Sequence, residues 1–363
     1  MPAVRQNLIV ETMEAPRHDS NSDSQRTLMS YLIENSDNFA KLEKLKKKDW
    51  KNPAAYTHWQ KRNMQANPAT QDAVQQAFLY KMTQQIVSEM HMKTEALTPG
   101  KLGASKLQVL DICMAPGGFT WGALKYNPNA ISYGITLPEQ RGGYKNRFRL
   151  RSQNVRFMDV TMLASECGID VIPDSHPDFA RFLQERPFLD LSFQLIFCGG
   201  AVLRSTRDFN TDYPNPYERT RLTTSQLVLA MQRIMPGGTM VVLLGKPEHP
   251  DTTAILRHFD RFARIELFKS RRKHTLRSTF YLVARDVQSE SHAAKAALED
   301  WKARWYRATF GGEIGTGELE PDMDTASMAS MIDEFGTRLI ELASPVWEIQ
   351  AAALLRQDFN VTH

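Results

Sequence analysis

The stretch 110-LDICMAPGGFTWG-122 runs an apolar segment into a carboxylate and then breaks on Ala-Pro-Gly-Gly. The residues leading into it, 107-LQVLDI-112, have the length and apolar content of a buried strand, and Phe119–Tyr126 reads as a helix. A strand, a glycine turn and a helix form the opening unit of an open α/β sheet. In such sheets ligands lie beyond the carboxyl ends of the strands, at the point where strand order reverses. Glycine lets a ligand approach the backbone without meeting a Cβ. An acid there can accept from a ribose hydroxyl or sit beside a cationic group. The turn is neither the G-x-G-x-x-G dinucleotide fingerprint nor the phosphate loop ending in Gly-Lys-Ser/Thr. It has no lysine and no long glycine cradle, so a polyphosphate is a poor candidate.

Six more strand-like runs follow: 130-AISYGITL, 155-VRFMDV, 191-LSFQLIFC, 239-TMVVLL, 263-ARIELF and 278-STFYLVAR. Helical periodicity falls between them at Leu222–Met235 and Asp251–Phe259. Near-continuous apolar strands separated by helices indicate a mainly parallel sheet covered on both faces. The fold class is therefore α/β: a Rossmann-like, doubly wound, seven-stranded sheet. Two helices are expected between Ser24 and Lys51 and another over Thr70–Lys93. Two amphipathic stretches, 291–310 and 326–355, flank the polar loop 311-GGEIGTGELEPDMD. The expected organisation is a disordered segment 1–23, a helical N-terminal extension 24–100, the α/β domain 101–290 and a helical C-terminal extension 291–363. Trp301, Trp305 and Trp347 are read as core anchors of the tail.

Of 363 residues 42% are hydrophobic and 24% charged, an ordinary globular composition. No apolar run reaches the length of a membrane span, and the N-terminus lacks the apolar core of a signal peptide. Three cysteines, two of them in apolar runs, argue against a disulfide framework or a zinc site. The expectation is an intracellular protein, cytoplasmic or nuclear, without a metal or a membrane partner. The net charge of +4 is too mild to identify a partner, so local clusters matter more.

The segment 111-DICMAPGGF resembles the first motif of the FtsJ-like methyltransferases, close to D-x-x-x-A-P-G-G-[FW]. Further segments agree in order: 133-YGITLP, 157-FMDVTML, 235-MPGGTMVVLLGKPE and 277-RSTFYLVAR. The last two are of the type found in FtsJ-like domains of fungal proteins. The resemblance covers roughly residues 75–290. It implies S-adenosylmethionine as cofactor and RNA, through the ribose 2′-hydroxyl, as acceptor. It assigns cofactor binding to Asp111, Ala115, Pro116, Gly117, Gly118 and Phe119, with Leu137 and Asp159 flanking adenine and ribose. Thr136 stands where many methyltransferases carry an acid. Asp159 also reads as a helix N-cap before Val160.

The resemblance further implies a Lys-Asp-Lys-Glu tetrad. A ribose hydroxyl is a poor nucleophile; a lysine beside it stabilises the developing alkoxide, and two carboxylates keep that lysine charged and oriented. Lys81 matches the first lysine and Lys246 the second. Both acids are missing: Gly199 and Thr279 occupy their positions, and Gln194 replaces a further acid earlier in the fourth strand. Glu248 or Asp208 are candidates to supply a carboxylate from another direction.

The densest basic stretch is 269-KSRRKHTLRS-278. Arg271, Arg272, Lys273 and Arg277 in it read either as a solvated hairpin tip or as RNA-phosphate contacts. Six lysines between Lys41 and Lys51 read as a solvated helix face or as a phosphate-tracking surface. Phe209, Tyr213 and Tyr217, among arginines, read as a base-stacking segment or a lid. Three functions stay open: an RNA methyltransferase with an altered catalytic set, an inactive module binding cofactor or RNA, and a methyltransferase for a small-molecule or protein acceptor.

Overall fold

Seven strands form one sheet in the order β3-β2-β1-β4-β5-β7-β6. They are β1 (Gln108–Ile112), β2 (Ile131–Thr136), β3 (Val155–Phe157), β4 (Phe193–Cys198), β5 (Ile234–Gly245), β6 (Arg264–Phe268) and β7 (Thr279–Val287). The computed structural model describes residues 22–50, 73–100, 106–148, 150–201 and 217–357. The expected disordered segment lies outside the described residues, except that Ser22 already caps the first helix by accepting the Gln25 N–H at 3.2 Å. Strands β1 to β5 pair in parallel, and β7 inserts antiparallel between β5 and β6. Strand order reverses between β1 and β4, so the Asp111–Gly118 turn stands at the switch point.

The helices are α1 (Asp23–Asn35), α2 (Asp37–Trp50), α3 (Ala73–Thr94), α4 (Gly118–Tyr126), α5 (Glu218–Met231), α6 (Pro250–Asp260), α7 (His292–Phe310) and α8 (Thr325–Leu355). Alternation along the strands separates two cores. Val109, Leu195, Phe197, Val241 and Val283 face α3 and α4. Leu110, Ile112, Ile196, Cys198 and Leu244 face the other side. That second core is continuous with Leu28 and Leu32 of α1, Phe39 and Leu42 of α2, and the tail helices. Trp301, Trp305 and Trp347 are all buried to 1% exposure or less. The helices flanking the sheet in sequence are therefore built into its main core.

Among the boundaries that differ from the sequence reading, two lie around β5. The fifth strand begins at Ile234, five residues before Thr239, because Ile234 pairs with Phe193 before a register shift. The Met235–Gly238 segment is consequently an irregular part of that strand, with Gly237 at a φ of 82°. The helix expected to reach Met235 stops at Met231 for the same reason. The lysine-rich helix also departs from a plain solvated face, since Lys46 reaches Glu248 at 2.9 Å. Among the described residues no helix is long and apolar enough to cross a membrane.

Candidate functional site

Strand β1 carries Asp111 to the carboxyl edge of the sheet, where it is 1% exposed. Its Oδ2 accepts the Thr120 N–H at 3.0 Å and the Thr120 hydroxyl at 2.7 Å. The acid thus ties β1 to the first turn of α4. Its Oδ1 is buried and has no hydrogen-bond partner among the described residues. Burial pushes this carboxyl up to about 7, against the two Thr120 bonds, which favour the charged form. A buried acid with one satisfied oxygen and one open oxygen is completed by a donor or a cation.

The turn itself is tightly constrained. Cys113 has a φ of 63°, left-handed for a residue with a side chain. The Met114 N–H donates to the Ile135 carbonyl at 2.8 Å, and the Gly117 N–H to the Met114 carbonyl at 2.7 Å. Gly117 has a φ of 99°, and a Cβ there would stand 2.6 Å from the Phe148 Cβ. A Cβ on Gly118 would lie 2.0 Å from Thr83 Oγ1, and one on Gly122 would lie 2.5 Å from Val87 Cγ1. Glycine at 118 and 122 therefore lets α3 lie directly on α4. From sequence, ligand approach accounts for Gly118; the contact that requires it in the fold is helix packing. Phe119 sends its ring into the core, 5.2 Å from Phe197 and 5.7 Å from Tyr281 between centroids. Its ring is therefore a packing element. Ala115 is partly exposed, and the buried Pro116 accepts the Arg147 N–H at 3.1 Å.

Residues 144–148 lie over this turn. Asn146 and Phe148 approach Gly117, and burial pushes the Tyr144 hydroxyl up to about 12, opposed by the charge of Arg277. The segment thus spans from the glycine turn towards the basic loop, which nothing in its sequence announces. Thr136 is buried at the end of β2, and Leu137 beyond it is partly exposed. Asp159 follows β3 and caps a single 3-10 turn, accepting the Thr161 N–H at 3.1 Å and hydroxyl at 2.7 Å. Its other oxygen faces Arg141 at 3.8 Å and Arg181 at 3.7 Å.

The tetrad positions separate into two groups. Gln194 sits near the start of β4, where its Oε1 accepts the Gln108 N–H at 2.7 Å. It ties the amino ends of β1 and β4 together, at the edge opposite the glycine turn. Gly199 is one residue past the end of β4 and shares the face of Phe197, which α3 and α4 cover. A Cβ there would meet nothing nearer than 3.7 Å, and its φ lies outside the left-handed range. Lys246 directly follows β5, is exposed, and has a left-handed φ of 52°. Its N–H donates to the Ser278 carbonyl at 3.1 Å, and Thr279 pairs with Gly245 in the adjoining strand. Lys81 is exposed on α3. The turn, Leu137, Gly199, Lys246 and Thr279 thus share one sheet edge.

Glu248 is not available to this edge. Burial alone would raise its pKa, but Lys46 outweighs that and holds the carboxylate below the usual range. Oε1 takes the Lys46 ammonium at 2.9 Å and Oε2 takes the Trp347 indole N–H at 3.1 Å. The expectation that Glu248 could stand in for a tetrad acid is overturned by these two partners, which the sequence places 202 and 99 residues away. Asp208, Phe209 and Tyr213 lie outside the described residues; Tyr217 precedes α5.

The basic loop joins β6 to β7 on the same edge. Lys269, which reads as one more surface cation, is 5% exposed. Its Nζ donates to the carbonyls of His274, Arg277 and Thr279 at 3.2, 2.6 and 2.8 Å. Burial pulls its pKa down to about 7, while the charge of Glu248 opposes the shift. Arg271 and Arg272 are exposed; Lys273 and Arg277 are partly exposed.

With the turn, the sheet order and the edge residues in place, a family comparison becomes decisive. Residues 80–287, more than half of the chain, match the FtsJ-like methyltransferase family. The chain belongs to this family. It is an S-adenosylmethionine-dependent methyltransferase by that membership. Solved structures to which the chain is similar include a ribosomal RNA methyltransferase from Plasmodium falciparum (18% identity, 56% of this chain and 96% of that one, TM-score 0.34). Human methyltransferase-like protein 13 in complex with SAH matches at 11% identity over 68% and 98% of the chains, TM-score 0.35. An rRNA methylase from Streptococcus thermophilus matches at 15% over 55% and 96%, TM-score 0.28. Scores this low carry no weight for fold or function. No curated protein matches the chain.

The residues of the FtsJ-like domain fit a cationic cofactor. The unpartnered oxygen of Asp111 is buried at the switch point, and the edge beside Gly199 is open. Among the described residues no group of His, Cys, Asp and Glu is arranged to hold a metal ion.

Proposed function

We propose that this chain methylates RNA, at the ribose 2′-hydroxyl, with an incomplete catalytic set. S-adenosylmethionine, when bound, supplies a sulfonium-linked methyl group. Asp111, the 115–119 turn, Thr136, Leu137 and Asp159 are the residues proposed to hold it. Asp111 would give its open oxygen to a cationic or donor group, and Asp159 would present the oxygen that now faces two arginines.

Lys246 is proposed as the residue that meets the acceptor oxygen, with Lys81 approaching from α3. Its ammonium would stabilise developing negative charge on that oxygen. The observation that carries the RNA reading is one of place. The glycine turn, Lys246 and the loop bearing Arg271, Arg272, Lys273 and Arg277 share one edge of the sheet. Phosphate contacts would hold the strand while a ribose reached the lysine.

Absence of both tetrad acids sets the expected rate. Removing one positioned acid–base group costs about 10²–10⁴-fold, so ribose methylation by the wild-type chain is expected to be slow. A second reading, a module that binds cofactor and RNA without methylating ribose, is favoured by Gly199 and Thr279 at the acid positions and by the engagement of Glu248. Calorimetry with S-adenosylmethionine, followed by methyl transfer to total RNA and mapping of alkali-resistant linkages, separates the two. Cofactor binding with alkali-resistant product supports ribose methylation; binding without product supports the module; methyl incorporation into protein or small molecules would overturn the RNA acceptor.

A further inference from the structure

Helix α3 buries Met82, Ile86, Val87 and Met90, yet carries a phenylalanine, Phe78, that is 59% exposed. Lys273 from the β6–β7 loop places its Nζ 5.5 Å from the centre of that ring, within cation–π range. The loop is fastened there. Ser270 Oγ donates to Glu89 Oε2 at 2.6 Å, and the Arg271 N–H donates to Glu89 Oε1 at 2.8 Å. Lys269 gathers three loop carbonyls from inside. An open aromatic ring and a set of cations from two different elements are thus pinned side by side.

The surroundings select one chemistry. Arg271, Arg272 and Lys81 are exposed, and the nearby carboxylate of Glu89 is consumed by the loop. Lys81 lies three residues beyond Phe78 and so shares its side of the helix. The same helix packs on Gly118 through Thr83, so it links the loop to the glycine turn. Flat aromatic rings next to phosphate-binding cations are how proteins hold unpaired bases, since every base has a face to stack. In a duplex those faces are already stacked on one another.

The geometry points to Phe78 as a stacking platform for an unpaired base of an RNA strand, with Arg271, Arg272 and Lys273 meeting the flanking phosphates. The inference rests on the RNA-directed reading above and narrows it: the acceptor is single-stranded where it is methylated. A base held on Phe78 would bring the neighbouring nucleotide past Lys81 towards the sheet edge.

The test uses the full chain with a fluorescein-labelled 15-nucleotide RNA of mixed sequence, and the same sequence as a blunt duplex, from 50 to 200 mM KCl. Wild type is expected to bind the single strand more tightly. Phe78→Ala is expected to weaken that binding about tenfold, the range of one stacked base. It is expected to leave the slope of log affinity against log salt unchanged, because stacking releases no counterions. Phe78→Trp is expected to restore affinity. The ring is exposed, so Phe78→Ala keeps the wild-type melting temperature. Equal single-strand affinity in Phe78→Ala, or an equal loss on the duplex, overturns the platform. If Phe78→Ala is neutral while replacing Arg271, Arg272, Lys273 and Arg277 abolishes binding, the platform fails and the RNA reading stands. Wild-type protein that binds neither RNA removes both.

Discussion

Asp111 ties its chemistry to pH. Its pKa in the folded chain is about 7 against an ordinary carboxyl value of 3.8. An acid whose pKa rises on folding costs stability wherever the unfolded chain is ionised and the folded one is not. Its contribution is therefore intact below 3.8, falls as pH climbs to about 7, and is level above that. Asp111→Asn removes this falling limb. Urea unfolding of both proteins at pH 5 and pH 7.5 should show wild type losing stability relative to the variant, by on the order of 1–3 kcal/mol. Binding of a cationic cofactor favours the ionised carboxylate. Calorimetry should therefore find S-adenosylmethionine binding more tightly at pH 8 than at pH 6 in wild type and equally at both in Asp111→Asn. Gly117→Val is a poor probe of the cofactor, because it meets Phe148 and a left-handed φ first. Gly199 is the better position. It has room for a side chain and no need of a positive φ, so Gly199→Asp should cost less than about 1 kcal/mol. Adding Thr279→Glu supplies the second acid. The double variant is expected to methylate ribose at least ~10-fold faster than wild type, as each acid–base group contributes ~10²–10⁴-fold when well placed. No gain, with cofactor binding intact, would count against the 2′-O chemistry.

The β6–β7 loop shows why a run of basic residues is ambiguous until it is folded. Of its cations, Lys269 turns inward, Arg271 and Arg272 are exposed, and Lys273 and Arg277 are partly exposed. Replacing Lys269 by Met strands three carbonyls. Each unsatisfied group costs about 1–3 kcal/mol, though exposed carbonyls recover part of this from water. A net loss of about 2 kcal/mol in urea unfolding, with weaker RNA binding, is expected. Replacing Arg271, Arg272, Lys273 and Arg277 together should flatten the salt dependence of RNA binding. The slope is expected to change by about 0.7 for each phosphate of a single strand that is no longer neutralised. An unchanged slope would return these side chains to the role of solvated charges. Across the sheet, the turn after β5 is held from several sides. Thr252 and Thr253 donate to the carbonyls of Gly245 and Pro247, and Gln25 donates to that of Glu248. These bonds hold Lys246 in its left-handed conformation, a strain that surrounding structure must sustain.

That turn connects the edge residues to the entire molecule. Glu248 takes its partners from α2 and α8, near the two ends of the described chain, and Phe39 of α2 packs on Trp347 at 4.8 Å between ring centroids. Burial would lower the Lys46 pKa, but Glu248 and Glu43 outweigh it and raise it. Lys46→Met would leave a buried carboxylate without its cation, a loss of about 3–5 kcal/mol, visible as a lower melting temperature. Adding Glu248→Gln removes the orphaned charge and is expected to recover part of that loss. If the double variant is no more stable than Lys46→Met, the pair is not coupled. The flanking helices thus support the Lys246 edge from behind: truncating α8 is expected to abolish folding of the sheet domain, because Trp347 and its neighbours are part of one core.

The strand run 107–112, the turn at 113–118 and the alternation of apolar segments are legible in the sequence because they are local. A buried strand needs consecutive apolar residues, and a tight turn needs glycine, so both leave marks in adjacent letters. The family resemblance rests on the same local stretch. Boundaries are less legible where pairing decides them: Ile234 is a strand residue only because Phe193 lies beside it. The roles of single polar side chains are hidden altogether. Lys46, Lys269 and Glu248 look like three ordinary charges, and burial with partners as distant as 202 residues makes each a structural group. Gly118 carries the family's glycine, while the contact that demands it comes from Thr83 on another helix. Local sequence specifies backbone preference and which side of an element is apolar. Which charge is neutralised, and which glycine is crowded, depends on contacts that exist only once distant segments of the chain have come together.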